Sequence, residues 1–538
     1  MIRIIKGALF ALLLSSLFVT SARAQRTYTA ASCNESDVSA AVSAERASPA
    51  DGDIISIPSG TCTWTGSTTL TATFNKSVTI QGAGALYSTS GGAGTTGSDL
   101  TTIINNVSVS SLMIFTTVAG KSFRFTGVFF EDNSSSQVET NGVLDIAGTS
   151  ASVRVDHCHF FLYPNGAQGL RVEDSVQGVA DHNFFDTQST SLNNDIAFHN
   201  GIGWNGGSSS DNADNSWTDT EHWGSSKFFF VEDSRFNNGD ISDAHDGARY
   251  VLRYCTITGD GNSNQQVYNH GLTDSRARGT RAAEVYNNTF TQAGNKGSPF
   301  YSLNSGTLLF WGNITTGGLQ NAMTIGYDFR TTAGGGGNYK YVAPPNGWGF
   351  CGTAAGGPTN WDGNLNSSGY ACLDQPGRGS GQLLNGQPFP NVLNSVTGTI
   401  AWPHEALSPI YVWNNTYSPR YYTSSPLVGI GSASGIVSDN RDYYQQFGTL
   451  AESGSFNGTK GVGQGLLSAR PSTCTAGTDP MTGGTAPGVG YWATDQSTLY
   501  VCNPTNTWTV YYTPYTYPHP LTQVAPPAPP TNAQAVPH

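Results

Sequence analysis

The sequence predicts an all-β protein: a parallel β-helix, or solenoid, with an N-terminal cap and a small C-terminal β module. Composition is the first reason. Glycine accounts for 65 of the 538 residues and charged residues for only 12%, a balance that disfavours helices and suits short strands separated by turns. Hydrophobic residues make up 37% of the chain, enough to fill a long core. The second reason is a recurring eight-residue pattern.

In this pattern, positions one, three and eight are mostly apolar and position four is polar or aromatic, as strand alternation requires. Position six mostly carries small side chains, which we expect to hydrogen-bond from one coil to the next. We interpret the 51-residue step after the third copy as two coils with an insertion. A β-propeller or β-sandwich is the alternative architecture. The copies begin at Phe123, Val153, Gly178, Phe229, Tyr250, Ala283, Leu308 and Ile410.

Two of the copies, VRVDHCHF (153–160) and GVADHNFF (178–185), carry an Asp-His pair before Cys or Asn. With the coil repeat over roughly residues 50–430, they resemble the right-handed parallel β-helix proteins of the pectate-lyase-like (pectin lyase fold) superfamily. The resemblance implies a secreted bacterial enzyme that cleaves a uronate-containing polysaccharide by β-elimination. It also implies an arginine base and acidic residues that bind Ca²⁺.

The organisation of the chain follows from shifts in composition. Arg3 and Lys6 precede an apolar run that ends in Ala22-Arg23-Ala24, the pattern of a cleaved secretory leader. A helical spacing of Val38 and Val42 predicts a cap. The predicted units are a leader (1–24), a cap with the first coil (25–75), a β-helix (76–435) with inserted loops (186–228 and 316–409), an aromatic-rich β module (436–521) and a Pro-rich tail (522–538).

Eight cysteines suit an oxidising compartment, outside the cell or in the periplasm. Proximity in sequence suggests three local disulfides. Cys158 and Cys255 share a coil position several coils apart, too far for a bond, so we expect buried free thiols. The suggested pairs are Cys33–Cys62, Cys351–Cys372 and Cys474–Cys502.

The net charge of −12 argues against nucleic acid as a partner, because such partners require basic surfaces. After the leader, no segment has a long apolar run, so we expect no membrane insertion. We expect a monomer that acts on an acidic polysaccharide.

Residues at position four would form a ladder along the outside of the solenoid. Asp156, Asp181 and Glu232 are the candidate Ca²⁺ ligands, because Ca²⁺ prefers hard oxygen donors. Further along the ladder, an arginine could pair with a substrate carboxylate and aromatic rings could stack on sugars, as could tryptophans of the first inserted loop. A solvated polar ladder and a packed loop are the alternatives. The candidate substrate-binding residues are Arg253, Tyr286, Trp311, Trp217 and Trp223.

Six arginines fall within residues 235–281, and such a concentration favours a site for an anionic ligand. Loops on a rigid scaffold commonly carry sites, so we expect residues of 243–250 and 269–284 to converge. In β-elimination, an arginine or His270 would remove the proton α to a uronate carboxylate. The candidate catalytic residues are Asp243, Asp246, Arg249, His270, Arg276 and Arg278.

Two other functions remain open. Asp243 and Asp246, followed by Asn269-His270-Gly271 and Arg276-Ala277-Arg278, resemble the motif order of polygalacturonases. Asn269 and Arg278 depart from that pattern, which places glycoside hydrolysis second. The third possibility is a non-catalytic glycan-binding or adhesin solenoid, since the fold alone does not fix function.

Overall fold

The computed structural model describes residues 25–65, 68–107, 111–132, 142–163, 167–187, 194–201, 213–259, 267–271, 279–295, 299–326, 374–380, 392–393, 400–401, 405–419, 424–431, 437–479 and 483–523. Within these residues, three long parallel sheets stack coil upon coil. Each of the ten complete coils contributes one strand to each sheet, and the parallel β-helix predicted from the repeat is confirmed. The predicted leader and tail lie outside the described residues, apart from 522–523.

The first sheet has twelve strands and the second and third have ten each. The first-sheet strands are Thr27–Thr29, Asp53–Ser56, Val78–Gln81, Phe123–Thr126, Val153–Asp156, Gly178–Asp181, Phe229–Glu232, Arg249–Arg253, Ala282–Tyr286, Thr307–Trp311, Ile410–Trp413 and Tyr443–Gln445. The second-sheet strands are Gly60–Trp64, Thr101–Asn105, Phe129–Asp132, His159–Leu162, Phe184–Thr187, Arg235–Asn237, Thr256–Gly259, Thr289–Asn295, Ile314–Gly318 and Thr416–Pro419. The third-sheet strands are Leu70–Phe74, Met113–Thr117, Leu144–Gly148, Gln168–Asp174, Asn194–Asn200, Asp240–Ala244, Val267–Asn269, Tyr301–Leu303, Met323–Ile325 and Val428–Ile430.

The eight-residue repeat is the corner between the first and second sheets. Its fourth position ends the first-sheet strand and its fifth has a left-handed backbone, with φ of 52° at His157 and 55° at His182. The strand register matches the copies residue by residue, since Asp156 lies opposite Asp181. The interpretation of the 51-residue step as two coils is wrong. Gly178 pairs directly with Phe229, so the step is one coil whose excursion, 201–228, leaves after the third sheet.

Asparagines at position six form a hydrogen-bonded ladder inside this corner. The backbone N–H of Asn288 donates to Oδ1 of Asn313 at 3.1 Å, and that of Asn313 donates to Oδ1 of Asn415 at 3.0 Å. Nδ2 of Asn313 donates to the carbonyl of Val285 at 2.9 Å. All three asparagines are buried, so the ladder satisfies backbone groups that water cannot reach.

Replacing Asn313 with alanine is expected to lower the free energy of unfolding by about 3 kcal/mol, because each buried backbone group left unpaired costs ~1–3 kcal/mol. Urea denaturation followed by tryptophan fluorescence measures the change. Thr289→Ala, at an exposed position of the adjacent strand, is the matched control. Equal stability of the two variants would contradict a structural role for the ladder.

The N-terminal end is covered by a helix, Glu35–Ala47, at the segment where a helical spacing was predicted. Val38 and Val42 are buried in the core, and the helix packs against the first strands. The Cys33–Cys62 disulfide ties this cap to the second sheet. Cys158 and Cys255 are buried free thiols, as predicted.

A four-stranded sheet packs against the outer face of the first sheet. Its strands are Val462–Gly465, Gly490–Ala493, Thr498–Cys502 and Trp508–Tyr512. The predicted Cys474–Cys502 disulfide is present, whereas Cys351 and Cys372 lie outside the described residues. The last first-sheet strand, Tyr443–Gln445, lies past the boundary placed at residue 435.

The remaining elements belong to excursions and turns. These elements are the helix Ala213–Thr218, the 3₁₀ turns Ser90–Gly92, Leu467–Ala469 and Pro520–Gln523, and the paired strands Leu86–Ser88 with Thr95–Gly97, Arg378–Gly379 with Ala406–Leu407, Val392–Leu393 with Ile400–Ala401, and Gly477–Thr478 with Thr485–Ala486.

No helix in the described part of the chain is long and apolar enough to cross a membrane.

Candidate functional site

Three successive strands of the third sheet each carry a histidine at their carboxyl end: His199 is the second-last residue of Asn194–Asn200, whereas His245 and His270 directly follow Asp240–Ala244 and Val267–Asn269. Phe198 lies opposite Ala244, and Ala244 lies opposite Asn269. His199, His245 and His270 therefore occupy equivalent positions in three adjacent coils. Their rings stack, with centroids 5.3 Å apart for His199 and His245 and 4.1 Å apart for His245 and His270.

Asp243 joins this stack because side chains alternate along a strand. Ala244 faces the core, so Asp243 and His245 share the outer face. Nε2 of His245 lies 2.7 Å from Oδ1 of Asp243, and Nδ1 of His270 contacts the same oxygen. Nδ1 of His270 also lies 2.6 Å from Nε2 of His245. We call Asp243, His245 and His270 the histidine cluster.

The histidine cluster holds an ionised carboxylate at a position that is partly exposed to solvent. Burial alone would raise the pKa of Asp243, but the charges of His245 and His270, with their hydrogen bonds, hold that pKa well below its usual value. Asp243 is therefore an anion held by two imidazoles. The His245 side chain is only 3% exposed and that of His270 is 23% exposed, so the cluster opens to solvent at His270.

Asp246 belongs to the same region through the third histidine. Its Oδ2 lies 3.0 Å from Nδ1 of His199, and both residues are buried. Asp246 has a left-handed backbone, with φ of 53°. The structure thus brings together three of the predicted catalytic residues: Asp243, Asp246 and His270.

Arg249 has a different position from the one expected of a catalytic residue. Its guanidinium is fully buried and donates to the carbonyls of Ser216 and Thr220, each at 2.7 Å, and of Glu221 at 2.8 Å. Burial and the neighbouring Arg281 lower the pKa of Arg249 to about 9. Arg249 therefore holds the excursion after the third sheet in place.

Arg276 and Arg278 lie outside the described residues. The described residues on either side of them are joined beside the histidine cluster, because the N–H of Thr280 donates to the carbonyl of His270 at 3.1 Å. The hydroxyl of Ser305 donates to that carbonyl at 2.6 Å. A catalytic role for the two arginines stays a prediction.

The three predicted Ca²⁺ ligands are each paired with arginine. Asp156 accepts from Nε of Arg124 at 2.7 Å, and Asp181 accepts from Nε of Arg154 at 2.8 Å. Glu232 accepts from Nε of Arg253 at 2.8 Å. The three carboxylates are fully buried, so this ladder is neutralised internally.

The aromatic part of the ladder is covered by the C-terminal module. Tyr286, Trp311 and Arg253 are buried, and Trp311 packs on Trp492 with ring centroids 5.0 Å apart. Arg253 donates to the carbonyl of Tyr515 at 2.8 Å. Substrate binding by these residues would require the module to leave this face of the solenoid.

The final residues of this module include His519, which lies buried over the same ladder. Its backbone N–H donates to Glu232 at 2.8 Å. Burial, then the charge of Arg253, lowers the pKa of His519 to about 4 from 6.5. The unfolded chain therefore binds a proton between pH 6.5 and pH 4 that the folded chain excludes, and His519 makes the protein less stable as the pH falls through that range.

Replacing His519 with glutamine is expected to remove up to about 3 kcal/mol of this acid destabilisation, since each pKa unit corresponds to ~1.4 kcal/mol. Urea denaturation of wild type and variant at several pH values between 7 and 4 measures the difference. His222→Gln, in the surface pair with Asp219, is the control. Parallel stability curves for wild type and His519→Gln would refute the prediction.

Neither predicted tryptophan is part of an open sugar-binding surface. Trp217 is buried and donates from Nε1 to the carbonyl of Gly279 at 2.8 Å. Trp223 packs on Phe228, with ring centroids 6.0 Å apart, and against the C-terminal module. Both anchor the excursion of residues 201–228.

Tyr268 was missed by the sequence analysis. It lies opposite Asp243 on the next strand, is half-buried, and places its ring edge-on to His270 at 4.3 Å. The position of His199 in the stack was also missed. A sequence signal existed, because His199-Asn200-Gly201, His245-Asp246-Gly247 and His270-Gly271 lie at the carboxyl ends of strands of the same sheet.

The fold and the histidine cluster carry the functional argument without support from relatives. No protein-family model matches this chain, and searches of the curated proteins and of the solved structures found no match.

Proposed function

We propose that this protein is a secreted polysaccharide lyase that cleaves a uronate-containing polymer by β-elimination at the histidine cluster. The observation that carries the proposal is the convergence of Asp243, His245 and His270 on the outer face of a rigid sheet, with His270 open to solvent. Titratable groups clustered in this way are typical of catalytic sites.

The site must support three steps of the β-elimination reaction. A base takes the proton on the carbon next to the uronate carboxylate, positive charge stabilises the resulting enolate, and the glycosidic oxygen then leaves with its electron pair and gains a proton. The C–H and C–O bonds break and a C=C bond forms. Tyr268 and His270 are partly exposed side chains beside Asp243, and we assign the base to this pair.

The surface around the cluster suits an extended polymer. Equivalent positions in neighbouring coils lie ~4.8 Å apart. This spacing is close to the length of one sugar unit in an extended polysaccharide, so a polymer bound parallel to the solenoid axis would place about one sugar at each coil. Ser302 lies opposite Tyr268 one coil further on, and Asn304 follows that strand next to the position of His270. Ser302 and Asn304 are only 9% and 7% exposed, so we assign to sugar hydroxyls only the edge of each that reaches solvent.

Two further features support this assignment. The stacked coils and the Asp-His copies of the repeat resemble pectate-lyase-like proteins, which favours an acidic polysaccharide as substrate. The disulfides Cys33–Cys62 and Cys474–Cys502 suit an oxidising compartment, in agreement with a secretory leader at residues 1–24.

A product assay tests the function. The protein is incubated with polygalacturonate, alginate and other uronate polymers, and ultraviolet absorbance of the new unsaturated uronyl group is followed. Absorbance that rises with enzyme concentration is the expected result. New reducing ends without absorbance would replace the lyase with a hydrolase, and neither signal on any polymer would favour a glycan-binding solenoid.

A further inference from the structure

We propose that the histidine cluster binds one divalent transition-metal ion through Oδ1 of Asp243, Nε2 of His245 and Nδ1 of His270. These atoms are within 4.8 Å of one another and come from two adjacent coils of one sheet. Only the role of the metal in the reaction rests on the proposed lyase function; metal binding itself does not.

Hydrogen bonding alone does not account for the three contacts. Each imidazole nitrogen offers either one N–H or one lone pair. If both histidines donate to Asp243, their two N–H groups face each other at the 2.6 Å that separates Nδ1 of His270 from Nε2 of His245. If one histidine donates to the other, one contact with Asp243 lacks its proton. A cation uses one lone pair from each ligand and satisfies all three contacts together.

The three ligand atoms lie close enough together for one ion to contact all of them. Because metal–nitrogen bonds are about 2.0–2.1 Å long, the nitrogens of His245 and His270, which are 2.6 Å apart, would move further apart when an ion binds. His245 is held on its inner side by the stacked ring of His199, whereas His270 lies at the solvent edge. The ligands therefore approach from the protein side and leave a coordination position for substrate or water.

The donor set determines the class of metal. Two imidazoles and one carboxylate suit zinc and its first-row neighbours, whereas Ca²⁺ prefers oxygen ligands. Three protein ligands with an open position are typical of catalytic rather than structural zinc sites. This centre is distinct from the Ca²⁺ ladder predicted from Asp156, Asp181 and Glu232, which lies on another sheet.

In the proposed lyase reaction, the metal would neutralise the uronate carboxylate. Arg249, Arg253 and Arg281 are buried in other networks of ion pairs and hydrogen bonds, so these arginines are not placed for that task. With His270 ligating the metal, Tyr268 is the side chain left to accept the substrate proton.

Metal binding is tested on the whole mature protein. After treatment with chelator and desalting, ZnCl₂ and, separately, CaCl₂ are titrated by isothermal calorimetry. One Zn²⁺ per chain is expected, with no competition from excess Ca²⁺. His245→Ala and Asp243→Ala are expected to weaken Zn²⁺ binding by more than the ~100-fold that loss of an outer-shell partner costs.

His222→Ala is the control, because His222 forms a histidine–aspartate pair with Asp219 elsewhere on the surface. Circular dichroism verifies that each variant is folded. If ligand variants and control bind Zn²⁺ equally, or if wild type binds none, the metal site is refuted. Zn²⁺ bound at the cluster without cleavage of any polymer would refute the lyase but not the metal site. Cleavage by a protein that binds no Zn²⁺ would refute the metal site but not the lyase.

Discussion

Replacing Asp243 with asparagine is expected to slow polymer cleavage by about 10³-fold, within the range found for loss of acid–base machinery. The asparagine amide would keep the shape of the side chain but remove the negative charge that contacts both His245 and His270. Initial rates of product absorbance on the polymer that wild type cleaves measure the effect.

The control for this variant is Asp219→Asn, which removes the carboxylate of the surface pair with His222. It is expected to retain the wild-type rate. Asp243 lies on the outer face of the sheet and not in its core, so Asp243→Asn is expected to stay folded. Thermal unfolding measures this and separates a loss of activity from a loss of fold. An Asp243→Asn variant that is folded and keeps its rate within about threefold, too little for loss of an acid–base group, would remove Asp243 from the catalytic machinery.

The fold could be predicted because the corner between the first and second sheets repeats the same physical requirements in eight of the coils. Val153 and Val155 face the core, Asp156 ends the strand, and His157 occupies the left-handed position. Position six, represented by Asn288, satisfies the backbone of the neighbouring coil. Each requirement restricts residue type, so the copies align without a structure.

The site was harder to predict because the third sheet has no such fixed corner. Its strands follow loops of different lengths, so Asp243, Tyr268 and His270 do not align by spacing. The sequence analysis grouped Asp243 with His270 because the stretches 243–250 and 269–284 were expected to converge, and in the structure these two side chains are in contact. The edge-on contact of Tyr268 with His270 depends on strand register, which the local sequence does not reveal.

The covering of the outer ladder could not be predicted for a related reason. Glu232 and Arg253 have the pattern of solvent-facing residues at position four, and no periodicity links them to Tyr515 or His519. The contacts are made by a segment more than 250 residues away in sequence. A ladder that suggests a substrate groove therefore serves as the attachment surface of the C-terminal module.

Replacing Arg253 with methionine is expected to lower the free energy of unfolding by about 4 kcal/mol, since removing one partner of a buried ion pair costs ~3–5 kcal/mol. Arg253 is fully buried. It pairs with Glu232 and donates to the carbonyls of Tyr515 and Thr516 at 2.8 and 2.9 Å. Chemical denaturation measures the loss, and limited proteolysis is expected to release the C-terminal module.

A second variant distinguishes two causes of the lower free energy of unfolding: the unpaired charge of Glu232 and the loss of packing around residue 253. Adding Glu232→Gln to Arg253→Met removes the unpaired buried charge, so the double variant is expected to be more stable than Arg253→Met alone. Arg470→Met is the control, because Arg470 stacks on Tyr500, 4.4 Å from its ring centre, within the module itself. If Arg253→Met and Arg470→Met were equally stable and equally resistant to protease, the ladder would not be what holds the module. The face of Glu232 and Tyr286 would then be free to open, and substrate binding along it would again be feasible.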